Sequence, residues 1–450
     1  MASNRRLNPA MVIKKIIFTI VARNYYGLAQ VLRQSIIKYN DDITFYAFIA
    51  DGIPSDNRAL FSADAIDVNV VMQHFVAPEK LQEMAFKYNL TEYCTAIKPF
   101  CFEYLFNQTD VDQIIYLDPD ILVFSSLTPV FDCLQYASIV LTPHILFPSS
   151  LEGKRSDRGI MATGIYNLGF IGVCRSNTGF TFIRWWRQRL LDQCFIDSHD
   201  ALFTDQKWAD FIPGLFPSED VCVLRHSGTN IAPWNFHERE VLITEEDSLV
   251  VRRRLDPNES LLLNNECKQE PIIFVHFSGF DYTLLCKGEA VQYNISGLSI
   301  YNDLQSLIDI YVASIQAQKE TVLKFLGMTY GYESFQDGSL IISFHRRLYR
   351  SAVESGHNVG NPFSTDNHSF HSQLVKHKLL LNRAVVKKSD RSNKYNYPNL
   401  SDKLIIINRM MRVIRKIIGL ENFLLLLRLM RPYSRAEAQL HNVYQNMNKL

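Results

Sequence analysis

Along the first 280 residues, apolar positions come in short runs of Ile, Val, Phe and Leu, separated by segments with helical spacing. Residues 15–22 (KIIFTIVA) form such a run and predict a buried strand. Residues 25–39 follow with Leu28, Val31, Leu32, Ser35 and Ile36 at helical spacing. Further strands are predicted at 44–50, closed by Asp51-Gly52, and at 67–72, 113–117, 121–124, 138–142, 166–173 and 272–277. Residues 91–106 read as one helix opening on a Thr. Residues 177–193 read as another, with Trp185 and Trp186 assigned to the core. Strands separated by helices predict an α/β fold, with a mixed, mainly parallel sheet covered on both faces. In such folds ligands sit at the carboxyl ends of strands.

The pattern changes near residue 300. Residues 301–326 have helical spacing. Residues 327–365 are rich in Gly, Ser, Tyr and Asn, with a strand-like piece at 339–344. Residues 382–401 are basic and polar, as in a linker, and 403–430 predict a long helix. The expected organisation is a catalytic-type α/β domain at 1–300, an accessory region at 301–400 and a basic helical tail at 401–450. No internal repeat is visible.

Within 403–430, Asn408, Arg409, Arg412, Arg415 and Lys416 recur at spacings of three and four, making one basic stripe on an otherwise apolar helix. Such a helix suits an anionic membrane surface. The rival is burial against the body or in a homodimer. Charge supports the first. Formal net charge is only +1, but residues 371–450 hold 16 Lys and Arg against 4 Asp and Glu, and the rest of the chain 31 against 42. A basic tail also suits nucleic acid. Base stacking needs aromatics among the cations, and residues 371–450 offer only Tyr395, Tyr397, Phe423, Tyr433 and Tyr444. No nucleic-acid partner is therefore expected.

At 47% hydrophobic and 21% charged residues, the composition is that of a globular protein. No apolar run reaches the roughly 18 residues of a spanning helix, and Lys14 and Lys15 interrupt the N-terminal apolar stretch. The eight cysteines are scattered without a C-x-x-C pair, which fits free thiols in a reducing cytoplasm rather than a zinc site. The expected location is cytoplasmic, at the inner face of the membrane if the tail binds it. Neither a Walker motif nor G-x-G-x-x-G occurs.

The chemistry concentrates at residues 114–123 (IIYLDPDILV). An apolar strand delivers Asp118 and Asp120, one residue apart, so both carboxylates can converge on one hard divalent cation carrying a nucleotide diphosphate. A phosphohydrolase would need more carboxylates and histidines around two metals.

Around this motif the sequence resembles the metal-dependent GT-A glycosyltransferases, nearest to glycosyltransferase family 8, over roughly residues 14–285. Four blocks match in order: Ala96-Ile97-Lys98-Pro99-Phe100, Tyr166-Asn167-Leu168-Gly169-Phe170, Asp205-Gln206 and Val275-His276-Phe277-Ser278-Gly279. The resemblance implies a GT-A fold with a mostly helical C-terminal extension. It implies a nucleotide-sugar donor, expected to be a UDP-sugar, a glycan or lipid-linked glycan acceptor, and transfer with retention. Asp118, Asp120 and His276 would hold Mn²⁺ or Mg²⁺, with histidine favouring Mn²⁺. Lys98, Asn167, Gly169 and Gly279 would border the donor along with Asp118, and Asp205 and Gln206 would lie nearest the reacting carbon. By position in such enzymes, Ala22, Asn24, Tyr25 and Asp51 would face the nucleotide, with Tyr25 stacking on its base. Trp234-Asn235, with His226 and His237 nearby, would line the acceptor side. One departure stands out. The family block continues H-F-x-G-x-x-K-P-W, whose Lys neutralises the leaving diphosphate, whereas this chain reads His276-Phe277-Ser278-Gly279-Phe280-Asp281-Tyr282. The charge would then come from Lys98, Lys287 or Arg23. The alternatives are a degenerate scaffold that binds nucleotide-sugar without turnover, or a nucleic-acid-binding protein acting through the basic tail.

Overall fold

The computed structural model describes residues 13–147, 157–255, 268–293, 301–381 and 399–444. Most of the linker expected at 382–401 lies outside them. The chain divides into two compact units, one of residues 1–76 and 90–330, the other of residues 77–89 and 331–450.

The first unit is built on a sheet of seven strands: β1 (Lys15–Val21), β2 (Ile43–Ile49), β3 (Ala65–Asp67), β4 (Gln113–Leu117), β6 (Ile139–Leu141), β7 (Phe170–Cys174) and β8 (Val221–Val223). Their order is β8-β6-β7-β4-β1-β2-β3. All neighbours are parallel except β7, which runs antiparallel to both β4 and β6. This mixed, mainly parallel sheet with flanking helices is the expected GT-A architecture. β4 is buried along its whole length and β1 from Ile16 onward, as a sheet covered on both faces requires.

Outside this sheet, β5 (Ile121–Val123) pairs antiparallel with β9 (Phe274–His276). Two of the unit's apolar clusters bear on the site. One packs the helix Tyr26–Tyr39, through Ala29, Leu32 and Ile36, against the sheet. The other gathers Val275 and Phe277 against Leu307, Ile308, Tyr311 and Ile315.

The helices Gln305–Ala317 and Lys319–Leu326 thus belong to the first unit, which runs thirty residues beyond the change in composition at 300. Tyr311 stacks face to face on Phe277 at 3.9 Å. Their apolar stripe completes the core beside β9.

Several elements differ from the pattern-based expectation. Of the strand expected at 67–72 only Asp67 lies in one, at the end of β3: Val68–Met72 is a helix, started by Asp67, whose carboxylate accepts the Asn69 N–H at 2.8 Å. A β-branched run of this length has no decisive period, and the cap decides it. The single helix at 91–106 is two, Leu90–Ala96 and Lys98–Gln108, the second opening with Pro99 in its first turn. The strand piece at 339–344 gives way to a helix from Ser343.

In the second unit, Phe86 sits in a cluster with Phe335, Leu348, Tyr349, Phe370 and Leu374. The buried Arg346 guanidinium donates to the carbonyls of Ala85, Phe86, Tyr88 and Tyr332. These contacts tie residues 77–89 to the rest of the unit. Its longest helix, Leu400–Met430, has no buried residue and is interrupted at Gly419.

Candidate active site

The sheet registers assemble the site. β4 ends at Leu117, so Asp118 emerges from the carboxyl edge of a central strand. The chain turns through Pro119 and Asp120 into β5, where Ile121 pairs with His276. The Phe277 N–H donates to the Asp120 carbonyl at 2.8 Å and the Asp118 N–H to the Gly169 carbonyl at 2.8 Å. Local strand pairing thereby brings together two acidic residues and a histidine about 156 positions apart in sequence.

His276 Nε2 lies 3.0 Å from Asp120 Oδ1 and 3.7 Å from Asp118 Oδ2. Ligand atoms of all three residues fall within 4.8 Å of one another. Two carboxylates and an imidazole are a mixed oxygen and nitrogen donor set that fits a divalent cation. The other ring nitrogen faces Asn167 Oδ1 at 3.3 Å. An amide oxygen only accepts, so Nδ1 carries the proton and Nε2 is presented to the carboxylates. Burial pulls the His276 imidazole down, but Asp120 and Asp118 together outweigh it and hold it above its ordinary pKa.

Gly169 is required by this packing. A Cβ there would stand 2.5 Å from His276 Cε1 and 2.7 Å from its Nδ1. Asn167 Nδ2 points toward Gln206 Oε1 at 3.4 Å and His144 Nε2 at 3.5 Å. Gln206 also donates to the Thr163 carbonyl at 2.7 Å.

Beside the carboxylates, the Lys98 ammonium sits 2.8 Å from Asp205 Oδ2 and 4.0 Å from Asp118 Oδ1, and donates to the Leu168 carbonyl at 2.8 Å. Both Lys98 and Asp205 side chains are only 2% exposed. Burial drags Lys98 down, yet Asp205 and Asp118 keep it above the ordinary lysine range, a permanent cation. Burial pushes the Asp205 carboxyl up, against the pull of Lys98.

Of the nucleotide-side candidates, Tyr25 is near enough to Asp120 and Asp281 that, after burial, their charges further raise its pKa. Its ring meets Tyr282 edge-on at 5.8 Å. Asn24 Oδ1 is a buried acceptor with no hydrogen-bond partner. Ala22 is buried at the end of β1. The Asp51 carboxylate accepts the Arg23 N–H at 2.7 Å and pairs with its guanidinium at 2.9 Å. Gly279 follows β9 in a positive-φ turn. Trp186 is core, as expected.

Two neighbours, Tyr116 and His144, escaped the motif reading. The Tyr116 hydroxyl donates to Asp118 Oδ1 at 2.5 Å, and its ring lies 4.3 Å from the Lys98 ammonium. The period-2 rule gives a signal for it, since residues 116 and 118 share a strand face. His144 reaches Asn167 through a fold contact that no local pattern encodes. Trp234, assigned by sequence to the acceptor side, stands edge-on to His276 at 5.0 Å and to His144 at 5.3 Å. His226 instead lies 3.9 Å from Glu270.

Residues 16–173 match the family model for glycosyl transferase family 8. This region is family 8-like. The coarse activity that goes with the family 8-like region is glycosyl transfer. Two Bacillus subtilis proteins of uncharacterised activity are similar. YfnF is 24% identical over 263 residues, covering 58% of this chain and 80% of its own. YfnD is 26% identical over 265 residues, covering 58% and 76%. Among solved structures, the galactosyltransferase LgtC with donor and acceptor sugar analogues is 22% identical over 59% of this chain and 87% of its own, with a TM-score of 0.34. Mouse xyloside xylosyltransferase 1 is 12% identical over 59% and 97%, also with a TM-score of 0.34.

Proposed function

We propose that the chain is a metal-dependent glycosyltransferase. It would move a sugar from a nucleotide diphosphate donor, most simply a UDP-sugar, to a glycan or lipid-linked glycan acceptor, with retention, in cell-surface polysaccharide synthesis. The observation that carries this reading is the Asp118, Asp120 and His276 cluster beside the buried Lys98–Asp205 pair. The three side chains would hold Mn²⁺ or Mg²⁺. When bound, such a cation neutralises negative charge on the diphosphate.

The chain's own residues supply the rest. Asn167 and Gly169 hold the His276 ring in place. Lys98 stands beside Asp118 as a fixed positive charge, and we assign it the neutralising role of the lysine missing after His276. Of the three candidate cations, Lys98 is the one that pairs with Asp118, at 4.0 Å. Asp205 and Gln206 would border the reacting carbon, where a carboxylate stabilises positive charge developing on the sugar. Tyr25 and Asn24 would meet the nucleotide. Among the described residues no helix is long and apolar enough to cross a membrane.

The test is calorimetric titration of nucleotide diphosphates and nucleotide-sugars with and without Mn²⁺, repeated on Asp120→Ala. Metal-dependent binding of one nucleotide, lost in the variant, together with slow donor hydrolysis, is the expected outcome. Binding without hydrolysis or transfer would identify a scaffold. Absence of any nucleotide binding in the presence of metal would overturn the proposal.

A further inference from the structure

The helix Leu400–Met430 is the largest anomaly in surface chemistry among the described residues. It has no buried residue along its 31 positions. Large apolar side chains stand open on it, including Ile406 at 57%, Met410 at 58% and Ile417 at 77% exposure. Water does not tolerate such a surface uncovered.

At about 100° per residue, the polar positions between 404 and 418 collect on one side, while Lys403 falls opposite them. Asn408, Arg409, Arg412, Arg415 and Lys416 fall within an arc of about 120°, broken only by Ile405. Ile406, Met410, Val413 and Ile417 lie on the opposite side. The interruption is at Gly419, with φ 78° and ψ 170°, a conformation that favours glycine. The second segment, 420–430, carries only Glu421, Asn422 and Arg428 as polar residues. The two segments therefore differ in kind: one is cationic and amphipathic, the other almost wholly apolar.

From this arrangement we infer that residues 400–430 form a two-part in-plane anchor for an anionic lipid bilayer. The first segment, about 28 Å long, lies along the headgroups with Arg409, Arg412, Arg415 and Lys416 against lipid phosphates and its apolar face in the acyl boundary. Gly419 turns the chain so that the shorter second segment sinks its apolar surface at a different angle. Charge complementarity selects the occupant. A second copy joined through the apolar face would leave Arg409, Arg412, Arg415 and Lys416 without counter-charge, whereas an anionic surface neutralises them. The anchor does not span: no helix among the described residues meets the length and apolarity for that. The inference is independent of the glycosyl-transfer reading, because vesicle binding is measured without donor.

The test is co-sedimentation of the full chain with phosphatidylcholine vesicles and with vesicles containing phosphatidylglycerol. Binding is expected on the anionic vesicles, falling with salt. The double variant Arg412→Glu, Arg415→Glu should weaken it more than tenfold, since each cation near an anionic surface contributes about fivefold. Ile417→Asp should weaken binding as well, with the thermal melt unchanged because that side chain packs against no core. If the wild-type chain ignores both vesicle types, or if neither variant alters its binding, the inference fails. It fails equally if Ile417→Asp instead dissolves a concentration-dependent dimer, which would make a second copy the occupant.

Discussion

Gly169 leaves room for the His276 ring that no other residue would leave: a Cβ in its place would lie 2.5 Å from Cε1. Both flanking elements are pinned, Gly169 by its carbonyl to the Asp118 N–H and His276 by its N–H to the Ile231 carbonyl. Neither backbone can retreat cheaply. Gly169→Ala should therefore turn or displace the imidazole. The expected cost is about 1–3 kcal/mol of stability, the range for overpacking, with Mn²⁺ affinity down about 10–100-fold. Calorimetry and a thermal melt on the same sample read both numbers. Wild-type metal affinity in this variant would remove His276 from the ligand set.

Asn167 acts on the same ring from its other nitrogen. Asn167→Leu keeps the approximate volume and deletes the acceptor for Nδ1–H. Metal affinity should fall about 10–100-fold, with Asn167→Asp retaining or raising it, because a carboxylate accepts more strongly. Metal titration of the two variants side by side separates an orienting role from simple loss of packing, in which both would suffer alike.

Removing one partner of the Lys98–Asp205 pair strands a buried charge. Lys98→Met should cost about 3–5 kcal/mol in chemical denaturation, as for other broken buried pairs. The double variant Lys98→Met, Asp205→Leu should recover much of that loss, since apolar replacements of a buried pair can be close to neutral. Transfer activity should return in neither. An active double variant would show that the pair serves only the fold.

His345 makes the second unit sensitive to acid. Its Nδ1 accepts the Ile342 N–H at 3.3 Å and its Nε2 faces the Leu379 carbonyl at 3.0 Å, so the neutral ring satisfies both. Burial first, then Arg346 and His371, depress its pKa below the ordinary value, partly offset by the Leu379 carbonyl. The unfolded chain takes up a proton near pH 6.5 and the folded chain only at lower pH. The stabilising contribution is complete above about pH 6.5 and is lost as pH falls through the folded value. Hydrogen exchange in the helix Ser343–Glu354 should accelerate below that point after correction for intrinsic rates. His345→Gln should flatten the dependence, and an unchanged profile in that variant would exclude His345 as the cause.

The parts of the molecule that local physics controls could be read from the chain. Strands at 15–22 and 113–117 and the helix after Tyr25 follow from apolar periodicity, and Asp118-Pro119-Asp120 announces itself because both carboxylates belong to one strand end. His276 was reachable only through the order of motif blocks. Elsewhere the local signal was weak or overridden. The run at 68–72 has side chains that suit a strand, and a single cap at Asp67 made it a helix. The helices at 305–326 looked like an appendage because they lie beyond the change in composition at 300, yet their stripe fits the hollow beside Phe277.

The sequence by itself determined the alternation of elements, the carboxylate pair and the charge contrast between body and tail, all of which depend on neighbours within a few residues. Only the tertiary structure decided that Lys98 meets Asp205, that Asn167 meets the second nitrogen of His276, and that residues 77–89 join the unit built from 331 onward. Those pairings span about 107 to 260 positions. They depend on strand register and on desolvation of charged groups inside a packed core, and those two properties come into existence when the chain folds.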